Sequence, residues 1–278
     1  MKSIKIINGV LVLVFVFAGA LQAGAPLNNL EGVGGIAFNP LAYPANACSD
    51  GLTCGNITIS KPQLGVWYVK LDNVGIDWGS TGVAATINKR LELSVGYERI
   101  TDKKLDLNIN KTSFGQKLLL LKENECGSNF IPAISIGAIE KITSKDMKTP
   151  GVDQNGVDFY VVVTKLITQL PRPVLISGGM ISTREWVTGA LGFDDDRRQT
   201  GFANIDILPT CNTAVGYEFK QGAKFSDFKN ADYWDAHIAW LPTKELTLVA
   251  AYVDTGDEKS TTRVGLGNGV VLSAQYAF

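Results

Sequence analysis

The chain has 278 residues, with 26 Lys+Arg against 27 Asp+Glu, one histidine and a formal charge of −1. Balanced charge argues against a nucleic-acid binder, which carries a basic excess, and a hydrophobic fraction of 45% excludes intrinsic disorder. Charged residues reach only 19%, below the about one quarter usual for soluble domains, yet beyond the N-terminus no apolar run is long enough for a membrane helix.

Residues 1–23 read as a secretory signal peptide. Lys2 and Lys5 supply the positive start, Ile6 to Ala18 the apolar stretch, and Ala18-Gly-Ala-Leu-Gln-Ala23 the small-residue cleavage site. Residues 24–60 form a second unit, rich in Gly and Pro, with no convincing strand before Ile57. Three placements are open to it: a periplasmic extension, a plug folded into a lumen, or a loose tail. The apolar stretch Ile36 to Tyr43 would be poorly solvated in a free tail, so contact with a barrel interior or its periplasmic mouth is expected. Cys48 and Cys54 are spaced for a small disulfide loop. The four cysteines lack a C-x-x-C pair and His237 lies far from them, so no metal site is expected.

Residues 61–278 alternate with the period of strands. Leu91, Leu93, Val95 and Tyr97 share one face, opposed by Glu92, Ser94, Gly96 and Glu98. The segments 214–220, 235–240, 245–252 and 270–278 repeat the pattern, and 64–71, 79–88, 112–121, 130–141, 157–168, 172–181 and 200–208 follow it less cleanly. About a dozen strands of this length suit a tilted bilayer crossing. Tight turns at 88–90, 169–172, 208–210 and 241–244 alternate with longer polar segments at 101–111, 143–156, 182–199, 220–233 and 254–268, the asymmetry of outer-membrane barrels. A tyrosine (Tyr97, Tyr217, Tyr252) arrives about one crossing after three of the turns, where an interfacial aromatic girdle would lie.

The fold class expected is therefore all-β: an antiparallel up-and-down transmembrane β-barrel of about 12 strands, with 10 or 14 as alternatives. Alternation places Lys70, Glu92, Asp206, Glu218, Asp235, His237 and Glu245 facing the lumen. This mostly acidic set predicts a weak cation preference. The charge cluster Asp194-Asp-Asp-Arg-Arg198 lies in a long segment and reads as a solvated loop tip, since its spacing is not that of a calcium loop. Neither Gly34-Gly35 nor Gly178-Gly179 leads into a phosphate-binding helix. No catalytic residue or cofactor is expected. Position 239, two beyond the only histidine, is alanine, and no nucleophile is legible beside that imidazole.

Val270, Leu272, Ala274, Tyr276 and Phe278 alternate back from the terminus and look like the closing strand of bacterial outer-membrane proteins, with Tyr276 and Phe278 as the signal read by the barrel-assembly machinery. The segment Ala25-Pro-Leu-Asn-Asn-Leu-Glu-Gly-Val-Gly-Gly-Ile-Ala-Phe-Asn-Pro-Leu-Ala-Tyr43 resembles the mature N-terminus of an uncharacterised family of proteobacterial outer-membrane β-barrel proteins. That resemblance implies an outer-membrane barrel without a known substrate or catalytic residues. The function expected is a small-solute channel or passive transporter, in contact with outer-membrane lipid and lipopolysaccharide. A closed structural or interaction barrel is the alternative, and a lipid- or lipopolysaccharide-modifying enzyme the remotest reading.

Overall fold

The computed structural model describes residues 25–49, 51–145, 152–225 and 229–278; the expected signal peptide lies outside the described residues. Twelve strands form the wall: β1 (Gln63–Leu71), β2 (Ile76–Ile87), β3 (Leu91–Asp102), β4 (Leu107–Leu121), β5 (Ala133–Lys145) and β6 (Asn155–Ile167). They continue as β7 (Val174–Glu185), β8 (Phe193–Thr210), β9 (Thr213–Lys220), β10 (Tyr233–Trp240), β11 (Leu246–Asp254) and β12 (Asn268–Ala277). Each pairs antiparallel with its sequence neighbours, and β12 returns to β1 from Gly269↔Leu71 to Ala277↔Gln63. Closure leaves no unpaired strand edge, the condition for placing a sheet in lipid.

The alternation in the sequence becomes an inside–outside sorting. Val95, Tyr97, Phe114, Ile136, Val161, Met180, Ile205, Tyr217, Ile238 and Leu272 stand exposed on the outer surface, while their neighbours face inward and are buried, apart from the part-buried Gly137, Gly179 and Gly216. A water-soluble sheet sorts the other way, with the apolar face turned to a core. Tyr217, Trp234 and Tyr252 form an outer aromatic row, with successive ring centroids 5.8 Å apart. Tyr97 is also half-exposed outside. Tyr276 and Phe278 pack edge to face at 5.1 Å on the same outer surface, near the opposite end of the barrel.

Several boundaries differ from the sequence expectation, because ladder pairing carries strands beyond their apolar stretches. The expected loop 101–111 shrinks to a turn between Asp102 and Leu107, with Asp102 paired to Leu107. Asp194 to Arg198 belong to β8, which starts at Phe193, rather than to a loop tip. Their charges are locally matched: Arg198 meets Asp196 at 2.9 Å, Arg184 meets Asp195 at 3.6 Å, and the Arg197 guanidinium lies 5.1 Å over the Phe159 ring. A small hairpin, Leu52–Cys54 against Ile57–Ile59, attaches to the wall through Ile59↔Ile87. Cys48 and Cys54 are both free and exposed, so the expected disulfide loop is absent. The hairpin holds Cys54 opposite Ile57 at its tip, whereas Cys48 sits in the turn that leaves the inner segment.

Candidate functional site

Residues 25–49 fill the bore. Asn28, Asn29, Leu30, Val33, Leu41 and Ala42 are all buried, although the segment forms no regular strand or helix. Irregular backbone buried this deeply needs partners for its N–H and C=O groups. Two short bridges, Asn28↔Gly34 and Gly35↔Pro40, supply some. Wall side chains supply many others. Glu218 on β9 accepts hydrogen bonds from the backbone N–H groups of Ala37, Phe38 and Asn39 at 3.2, 2.9 and 2.9 Å. Glu92 on β3 accepts from Gly34 and Ala45 at 2.9 and 2.7 Å. The Thr164 hydroxyl accepts from the Ala42 N–H at 2.8 Å, while the Ser135 hydroxyl donates to the Ala42 carbonyl at 2.6 Å. Below these, Tyr43 donates to Glu123 at 2.8 Å in the turn after β4; burial and the adjacent carboxylate push its hydroxyl pKa well up, which keeps it a donor.

The wall is also shaped for the segment's backbone. Gly82 and Gly96 face each other across β2 and β3. A methyl group on either would collide with Glu31 or Gly32 of the inner segment. Gly32 itself adopts φ +84°, open to glycine but costly for other residues.

Beside this contact lies a buried ionic network. Lys111 on β4 reaches Glu98 at 2.9 Å and Glu31 at 3.0 Å; Lys141 on β5 reaches both Glu31 and Asp158 at 2.6 Å. Lys141 also meets Glu185, whose other oxygen takes Lys220 at 2.9 Å, and Lys117 pairs with Glu92 at 2.8 Å. Burial by itself would raise the pKa of Glu31, but Lys141 and Lys111 hold it below the usual 4.5. The connection between β7 and β8 folds over the same region: Lys111 donates to the Thr188 carbonyl at 2.7 Å and Thr143 to the Gly189 carbonyl at 2.8 Å. Trp186 stacks on the buried Phe225 at 5.4 Å, tying this connection to the one after β9.

A second cluster occupies β8–β10. His237 is held between two carboxylates, with Nδ1 at 2.6 Å from Asp235 and Nε2 at 2.8 Å from Asp206. Glu218 stands opposite Asp235 in the β9–β10 register. Both ring nitrogens are thus engaged by carboxylates, and this geometry presents no hydroxyl for the imidazole to activate.

Of the residues that alternation assigned to the lumen, Glu92, Asp206, Glu218, Asp235 and His237 are buried inside. Two are not. Lys70 lies on the outer surface, 46% exposed in its side chain and paired with Asp72 at 3.0 Å. On β1 the inward positions next to it are the apolar Trp67, Val69 and Leu71, clustered with Leu30 and Phe38 of the inner segment, so reading polar as inward fails there. Glu245 is exposed in the turn before β11, one residue short of the ladder that turns Thr247 and Val249 inward. The lumen set read from the sequence also left out Lys111, Lys117, Lys141, Lys220, Asp158 and Glu185. Each sits at an inward position, and a strict count along β4, β5 and β6 would have marked the first three and Asp158.

A closed, sequentially paired barrel with an apolar exterior, a charged interior and its N-terminal segment in the bore has the fold of outer-membrane porins. Two solved structures resemble it: the KdgM porin (12% identity, covering 78% of this chain and 99% of that one, TM-score 0.50) and the NanC porin (9% identity, 77% and 100%, TM-score 0.54). At such identities the likeness is one of fold. The chain belongs to the family described as a protein of unknown function (DUF3034), whose model matches residues 24–275. No curated protein matches it in sequence.

Proposed function

We propose that the protein is an outer-membrane channel for small solutes whose bore is closed, in this conformation, by residues 25–49. The supporting observation is the chemistry of the wall. Ionisable side chains line the bore from Glu92 and Lys117 to Asp206 and His237, a surface suited to water and ions once the inner segment moves aside. The segment itself brings few charged groups and is held mainly through its backbone, so its departure would leave those wall groups for a solute. Wall carboxylates at positions 92, 98, 158, 185, 206, 218 and 235 outnumber the lysines at 111, 117, 141 and 220, which favours cations.

In this reading the end carrying the C-terminus faces the periplasm, Tyr276 and Phe278 serve recognition by the barrel-assembly machinery, and Asp194 to Arg198 face the lipopolysaccharide side. The test is single-channel recording in planar bilayers, comparing the full chain with a deletion of 26–56. Larger unit conductance and cation-selective reversal potentials are expected on deletion. Where deletion impairs assembly, the pair Glu92→Ala and Glu218→Ala removes the segment's two carboxylate anchors and serves the same purpose. Unchanged conductance would reject closure by this segment. The filled bore also favours a second reading, a closed structural or interaction barrel, and silence of every variant would support it.

A further inference from the structure

The small hairpin between the inner segment and β1 carries an exposed apolar face. Leu52–Cys54 pairs antiparallel with Ile57–Ile59 across the turn Gly55-Asn56, where Gly55 takes the φ of +58° that suits the first central residue of a two-residue hairpin turn. Directly paired residues share a face and neighbours alternate. Leu52, Cys54, Ile57 and Ile59 therefore stand on one face, with Thr53 and Thr58 on the other. Leu52, Ile57 and Ile59 are 79%, 51% and 39% exposed.

The ladder fixes which way that face looks. Ile59 pairs with Ile87, the last residue of β2, which follows Thr81, Val83 and Ala85 along the outer side of the wall. Thr86 and Ser60, the neighbours of this pair, are buried on the inner side, where the Ser60 hydroxyl accepts from the Thr86 N–H at 2.9 Å. Beyond the end of β2 the hairpin stays attached: the Asn88 N–H donates to the Thr58 carbonyl at 2.7 Å, and the Thr58 N–H donates to Asn88 Oδ1 at 2.8 Å. The apolar face thus carries the lipid-facing surface past the end of the wall, by about 7 Å from Ile59 to Ile57.

Cations edge the same strip. Lys61 follows Ile59 on the outer face, and Lys89 occupies the turn after β2. Both are exposed and neither forms an ion pair among the described residues, whereas Arg90 beside them takes Glu125 at 3.4 Å. Apolar side chains bordered by lysines suit the boundary between acyl chains and anionic phosphates. A second copy would find too little here, because these few side chains offer far less than the about 800 Å² per partner of a stable interface.

We infer that the hairpin 52–59 is a membrane-interface anchor for an anionic phospholipid leaflet: Leu52, Ile57 and Ile59 lie against the acyl chains, and Lys61 and Lys89 meet the phosphates. The inference does not depend on whether the barrel conducts.

The test is nitroxide labelling of the full-length folded barrel in vesicles of phosphatidylethanolamine and phosphatidylglycerol, with Cys48→Ser, Cys126→Ser and Cys211→Ser. One version is labelled at Cys54, the other at Thr53→Cys with Cys54→Ser. Electron paramagnetic resonance compares collisions with oxygen, which concentrates in lipid, and with a nickel chelate, which stays in water. The oxygen-to-nickel ratio is expected to be several-fold higher at position 54 than at position 53. Leu52→Asn with Ile57→Asn should bring the first down to the second. Lys61→Gln with Lys89→Gln, or phosphatidylcholine in place of phosphatidylglycerol, should lower it part of the way. Equal ratios at the two positions, or a position-54 ratio unmoved by Leu52→Asn with Ile57→Asn, would overturn the anchor. So would broadening between position-54 labels that dilution with unlabelled protein removes, since a second copy would then cover the face. A ratio indifferent both to the two lysines and to phosphatidylglycerol would overturn the contact with anionic phosphates.

Discussion

The lysine network of β3–β7 and β9 and the histidine cluster of β8–β10 are two answers to burying charge in one bore. In the network, every lysine meets at least one carboxylate within 3.0 Å, and the inner segment contributes Glu31 as a bridge between Lys111 and Lys141. In the cluster, the inner segment contributes only the N–H groups of residues 37–39 to Glu218, and two carboxylates, Asp206 and Asp235, share one imidazole. The first region gains its stability from matched charge. The second holds an imidazole between two carboxylates, with no lysine or arginine paired to them among the described residues.

The contrast can be broken most forcefully at Lys141. Lys141→Met leaves Asp158 and Glu185 without their shared cation and should lower the barrel's stability by about 3–5 kcal/mol, read as a fall in the urea midpoint by tryptophan fluorescence. Next, Gly96→Val drives a side chain into Glu31 and Gly32. A cost of about 1–3 kcal/mol is expected, together with faster proteolysis of residues 25–49; a fully protected segment would contradict the close packing described. Glu218→Gln should be milder, within about 1 kcal/mol, because it relieves like charge while an amide oxygen still accepts from the inner segment. If it destabilises as much as Lys141→Met, the two regions do not differ in the way described.

The smallest effect concerns pH. The pKa of Glu31 is depressed in the folded state, so its contribution is fully present above about 4.5 and lost as pH falls through the lower folded value. Amide protection factors in residues 28–42, corrected for the intrinsic exchange rate at each pH, should therefore fall below that pH in the native chain. In Glu31→Gln the corresponding dependence should be weaker.

Much of the wall was legible in the sequence, because a strand between lipid and a wet lumen must alternate, and strands such as 91–98 alternate without exception. The buried positions of Glu92, Asp206, Glu218, Asp235 and His237 follow from the same rule. It misplaced Lys70 because Trp67 and Val69 face an apolar patch of the inner segment, so on β1 apolar residues point both ways. It misplaced Glu245 because alternation carries no information on where a ladder starts. The run from Asp194 to Arg198 looked like a loop because it is polar, yet β8 continues through it.

The shortage of charge and the missing membrane helix follow from the sequence alone, as does the spread of hydrophobicity over alternate residues, since side-chain direction along a strand is a local property. The tertiary structure alone decided what fills the bore. Residues 25–49 carry no periodic signal. Their conformation is set by partners some 40 to 250 positions away, among them Glu92, Glu218 and Gln275. Which lysine neutralises which carboxylate, and which carboxylates are left without one, depends on pairing between distant strands, and no single strand's pattern contains it.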